Sequence, residues 1–104
     1  MSKAKQLLRK ISKLEETYAV NKVVFPDKPD SKSVIYKFSN ESDARGFVDN
    51  LPSNLKSELK SIRLINLGNP VNSVTAIGYP STNFDKFEKD AGLSIKNVRI
   101  EHNG

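Results

Sequence analysis

A chain of 104 residues fits one folded domain with a modest core and leaves no room for two. Its composition, 37% hydrophobic and 28% charged with the apolar residues in periodic blocks, argues against a disordered chain. The absence of cysteine excludes disulfides, thiolate nucleophiles and cysteine-bound metal, while a net charge of +5 from 17 basic and 12 acidic residues favours anionic partners such as nucleic acid.

No apolar run approaches the roughly 20 residues that a membrane-spanning helix needs. Leu7 and Leu8 are followed at once by Arg9 and Lys10, so the apolar region of a signal peptide is not formed. Together these features predict a cytoplasmic chain with no transmembrane segment.

Residues 3–16 read as a basic amphipathic helix. Ala4, Leu7, Leu8, Ile11 and Leu14 recur at helical spacing and form one stripe. The opposite side carries Lys3, Lys5, Arg9, Lys10 and Lys13, and Glu15 and Glu16 close the segment. Positive charge near a helix N-terminus opposes the macrodipole, so this helix must gain its stability from packing or from a partner.

Residues 18–38 read as a hairpin. The β-branched and aromatic run 18–25 and the strand 33–38 flank a polar loop marked by Pro26 and Pro29. Residues 41–61 read as helical. Ser39 or Asn40 caps the first helix, over about 41–50, whose buried stripe is Ala44, Phe47, Val48 and Leu51. Gly46 inside it costs about 1 kcal/mol relative to alanine and predicts a close approach by another element. Pro52 ends it, and Ser53 opens a shorter helix with Leu55, Leu59 and Ile62 inward.

Residues 62–79 read as a second hairpin, with strands over 62–67 and 71–79 around Gly68, Asn69 and Pro70. Residues 81–91 read as a helix capped by Ser81 or Thr82, with Asp85 completing a capping box and Phe84, Phe87 and Ala91 inward. Gly92 stops it, and 95–100 form the last strand.

From residue 33 onward the order is strand, helix, strand, strand, helix, strand. That is the order of an α+β, ferredoxin-like split βαβ domain, here with an additional N-terminal helix and strand. The expectation is a four-stranded antiparallel sheet with helices on one face. Its other face would be open unless the N-terminal helix covers it.

Catalytic signals are sparse. The one histidine, His102, stands near the end of the sequence. The carboxylate pairs Asp27/Asp30 and Asp85/Glu88 read as solvated faces. Neither phosphate-binding glycine pattern occurs, and the five glycines are scattered. With no nucleophile, metal set or cofactor signature, no catalytic residue, metal or cofactor is assigned, and the expectation is a non-enzymatic binding protein.

An RNA-recognition motif would place stacking aromatics on both central strands. Tyr36 and Phe38 lie two positions apart on one strand, but 71–79 adds only Tyr79 and lacks the basic–glycine–aromatic run. A cysteine pair for heavy metal and an arginine-bearing glycine loop are likewise missing.

The candidate nucleic-acid contacts are therefore Lys3, Lys5, Arg9, Lys10 and Lys13 for phosphates. Lys56, Lys60 and Arg63 form a second group, in which Lys56 and Lys60 share a helix face. Tyr36 is a stacking residue if the sheet face carrying it is open. The alternative is a protein–protein adaptor or assembly component, or a self-associating chain, that docks through the N-terminal helix or a strand edge. A small-ligand regulatory domain is a third option.

Overall fold

The structure, a computed structural model, describes residues 17–101. The helix expected over 3–16, with its lysines, and His102 lie outside the described residues.

The first hairpin forms as its two β-branched and aromatic runs and the polar loop between them predict. Strand β1 (Tyr18–Val24) pairs antiparallel with β2 (Lys32–Lys37), Val23 opposite Ile35 and Lys22 opposite Tyr36. Tyr18, Val20, Lys22 and Val24 share one face with Val34, Tyr36 and Phe38, and the intervening residues face the other way.

Helix α1 spans Glu41–Asn50. Asn40 takes extended backbone geometry, and its Oδ1 accepts the Asp43 N–H at 2.8 Å. Glu41 and Asp43 then lie where the helix dipole favours acids, and Glu41 pairs with Arg45 one turn on. Ala44 and Phe47 are buried. A Cβ on Gly46 would sit 3.7 Å from the Tyr18 hydroxyl, an ordinary contact distance, so the close approach expected at this glycine is not found.

The second helical segment is shorter than expected. Helix α2 is one turn, Ser53–Lys56, and strand β3 (Leu59–Ile65) has already begun at Leu59. Leu59 pairs with Gly78, and Ile62 with Ala76, across to β4 (Ser73–Gly78). Sheet pairing along β4 outweighs the helical spacing of Leu55, Leu59 and Ile62, so helix does not extend to residue 61.

Helix α3 spans Phe84–Asp90, and its cap is Asn83, whose Oδ1 accepts the Lys86 N–H at 3.1 Å. Thr82 is engaged elsewhere. Its hydroxyl accepts the Tyr79 N–H at 2.8 Å and donates to the Glu58 carbonyl at 2.9 Å, tying the end of β4 to the start of β3. The chain crosses so tightly there that a Cβ on Gly78 would meet Thr82 and Phe84 atoms at 2.9 Å. Gly92, at φ 78°, ends α3 in the left-handed region and leads into β5 (Leu93–Ile100).

The strand order is β3-β4-β2-β1-β5. This α+β sheet is mixed and five-stranded, and it departs from the expected ferredoxin-like antiparallel arrangement of four strands. In that arrangement β5 would lie beside β2. Here β1 occupies that edge, and β5 pairs parallel with β1 instead. The β1–β2 hairpin closes over a short loop, so its pairing carries a small loop-closure cost, and β1 rather than β5 occupies the edge beside β2. A bulge at the Val20/Asn21 level lets β5 continue through Ile100.

Alternation places the core on a single face. Val20, Val34, Tyr36, Val74 and Ala76 meet Ala44, Phe47, Leu55 and Phe87 from the helices. At one end Tyr18, Phe38 and Phe47 pack ring against ring, with centroids 5.2–5.9 Å apart. No described helix is long and apolar enough to cross a membrane.

Candidate binding face of the sheet

The strand residues that do not enter the core form the opposite face, and no described helix covers it. Register aligns them in rows across the sheet. The central row runs Arg63, Thr75, Ile35, Val23, Arg99, from β3 to β5. Beside it lies Ile65, Ser73, Lys37, Asn21, Asn97, where the Asn97 amide donates to Asn21 Oδ1 at 3.2 Å. On the other side Ser61, Ile77 and Ser33 align, and the Phe25 N–H donates to the Ser33 carbonyl at 3.1 Å.

The face thus has an apolar centre of Val23, Ile35 and Ile77, each half-buried, with a cationic rim. Arg63 and Arg99 stand on the two edge strands, four strand spacings apart, which is about 19 Å. Lys37 projects between them from β2 and is exposed. The acid on this side is Glu101, which pairs with Arg99. At one corner Lys60 lies 5.7 Å from the ring centroid of Tyr79, which is 42% exposed.

These positions revise the sequence assignments. Arg63 is on the uncovered face and exposed, as its candidate role requires. Lys60 is the bulged residue where β3 starts, and Lys56 ends α2 in the helical layer, so the two do not share a helix face. Tyr36 is not available for stacking. It is fully buried on the helical side, and its hydroxyl donates to Glu88 Oε2 at 2.8 Å. Phe38 is buried on the same side.

The sequence reading missed Lys37 and Arg99. Both signals were legible in principle, since Lys37 alternates with Tyr36 and Phe38, and Arg99 with Val98 and Ile100. It also placed Glu88 in solvent beside Asp85. Instead Glu88 is buried, pairs with the buried Lys22 and accepts the Tyr36 hydroxyl. Lys22 also lies 5.9 Å from the Phe84 ring centroid. Burial, reinforced by the Glu88 charge, holds the Tyr36 hydroxyl protonated far above the ordinary tyrosine range. Among the described residues, every buried polar side-chain atom has a partner. The cluster therefore fastens α3 to the centre of the sheet.

Two further features bear on chemistry. An open depression of about 380 Å³ lies beside the start of α3, with Lys32 and Asp85 among its lining residues. Lys32 is already directed at the Thr82 carbonyl, 3.5 Å away. No group of three potential metal ligands occurs among the described residues. Comparison of the chain with family models, with curated proteins and with solved structures yields no match, so the arrangement of residues itself has to carry the functional reading.

Proposed function

We propose that this chain is a small non-enzymatic module that binds single-stranded nucleic acid on the uncovered side of its sheet. One observation carries this reading. The described helices pack on one face only, and the other face presents Lys37, Arg63 and Arg99, with Glu101 paired to Arg99. Cations spread over about 19 Å of a twisted sheet suit a chain of phosphates better than one small anion. The central row holds no aromatic residue, so contact would be to the backbone and largely indifferent to sequence.

Fluorescence anisotropy with labelled single-stranded RNA and DNA across a salt series tests this directly. Three phosphate contacts on this face contribute about −2 to the slope of log affinity against log salt, and any contacts from the basic segment 3–13 steepen it further. Replacing Arg63 and Arg99 together by alanine should flatten the slope by about 1.4. Absence of binding at low salt, or binding that ignores salt, would sink the proposal.

A second reading, a protein adaptor, rests on a different observation. Val98 and Ile100 on the edge strand β5 are 56% and 59% exposed. An adaptor docking there would form a stoichiometric complex that survives high salt, as sedimentation would show.

A further inference from the structure

We infer that β5 is a dimerisation edge, along which two copies of this chain pair β5 to β5 antiparallel and join their sheets into one. β5 is the last strand of the sheet, and among the described residues no strand pairs with its outer side. The bonds on its inner side fix which backbone groups point out. The Gly92 carbonyl accepts the Tyr18 N–H at 2.8 Å, and the Glu101 N–H donates to the Val24 carbonyl at 2.8 Å. By alternation Gly92, Ser94, Arg99 and Glu101 turn their backbone groups toward β1, and Leu93, Ile95, Val98 and Ile100 turn theirs outward. Such an edge is a template for another strand.

The sequence of β5 is complementary to itself in that role. Leu93, Ile95, Val98 and Ile100 stand beside Tyr18, Val20, Lys22 and Val24 of β1, so all four side chains lie on the helical side. The bulge at Lys96 allows this, because it puts Ile95 and Val98 three positions apart on one face. The resulting spacing of two, three and two positions reads the same in both directions. Turned antiparallel on itself, the strand sets Leu93 opposite Ile100 and Ile95 opposite Val98, each pair exchanging backbone bonds. On the open side Ser94 then stands opposite Arg99. The other edge strand, β3, lacks this symmetry, since Leu59, Ile62 and Leu64 are spaced three and two positions apart.

Exposure and charge agree with this pairing. Leu93 is buried and Ile95 half-buried, whereas Val98 and Ile100 are exposed. Each copy lays its covered end beside the bare end of the other. Arg99, already joined to Glu101, meets a serine, and Lys96 meets Asn97, so no cation stands directly opposite a cation. The two-fold axis runs perpendicular to the sheet, so the uncovered faces of both copies lie on one side and form a single longer surface. This is the edge the adaptor reading uses, and its self-complementarity commits it to a second copy.

The test needs no nucleic acid, so its result is independent of that proposal. Sedimentation equilibrium of the full chain should show a monomer–dimer equilibrium. Val98→Pro removes an outward N–H that β1 does not use, so the monomer should keep its circular dichroism spectrum while dimerisation weakens at least about tenfold. Cysteine pairing reads the register, since the chain has no cysteine of its own. Mixing Ser94→Cys with Arg99→Cys chains should give a disulfide-linked dimer under mild oxidation, and Arg99→Cys alone should not. A chain that stays monomeric at its highest soluble concentration, a dimer indifferent to Val98→Pro, or cross-linking by Arg99→Cys alone would overturn the inference.

Discussion

The two faces of the sheet are built from the same strands by alternation, yet they follow opposite rules. On the helical side nearly every position is apolar, and the polar exceptions, Lys22, Tyr36 and Glu88, satisfy one another. On the other side Arg63, Lys37 and Arg99 are exposed, and no described helix lies above them. A charge under α3 is tolerated only as part of a closed set, because low-dielectric surroundings penalise any unpaired member. A charge on the open side remains solvated, whether paired at the surface, as Arg99 is with Glu101, or exposed, as Lys37 and Arg63 are. Position on the pleat, more than residue type, separates structural charge from charge available for binding.

The contrast can be broken most forcefully at Lys22. Lys22→Met should cost about 3–5 kcal/mol of stability in chemical denaturation, since it strands a buried carboxylate. A cost below about 1 kcal/mol would mean that the cluster is wetter than the fold implies. The same cluster predicts a pH limit. The Tyr36 hydroxyl titrates higher in the folded than in the unfolded chain, so its contribution is complete below about pH 10 and is lost as pH rises further. Stability should fall by about 1.4 kcal/mol per pH unit there, and Tyr36→Phe should flatten that decline.

A smaller effect is expected at Gly78, where β4 passes under Thr82 and Phe84 with no room for a methyl group. Gly78→Ala should cost about 1–3 kcal/mol through displaced packing. The smallest stability effect belongs to the open side. Arg63→Ala and Lys37→Ala should each change stability by less than about 0.5 kcal/mol. The same substitutions should weaken oligonucleotide binding and reduce its salt dependence. Equal damage to stability on both faces would erase the distinction.

Local features were legible in the sequence. The bounds of α1, its Asn40 cap and the β1–β2 hairpin follow from capping chemistry, β-propensity and the loop residues to within a few positions. Features that depend on distant partners were not. Ser81, Thr82 and Asn83 are all competent caps, and only the Glu58 carbonyl and the Tyr79 N–H draw Thr82 away. Leu59 fits a helical stripe and a strand equally well until Gly78 stands opposite it. Lys22 and Glu88 lie on different elements, and neither signals burial alone. The insertion of β1 between β2 and β5 is likewise a competition for an edge, which no local pattern records. For the candidate face, Arg63 was singled out in the sequence and lies on the side without a described helix, whereas the condition set for Tyr36, an open sheet face, is not met, because strand alternation gives two faces without saying which one the helices take.

The account rests on the uncovered side being the binding side. Backbone and side-chain NMR shifts followed during titration with a single-stranded oligonucleotide test that most directly. The account predicts perturbations concentrated at Lys37, Arg63 and Arg99 and in the basic segment 3–13, with α1, α2 and α3 unmoved. Perturbations centred on the helices, or none at low salt, would contradict it.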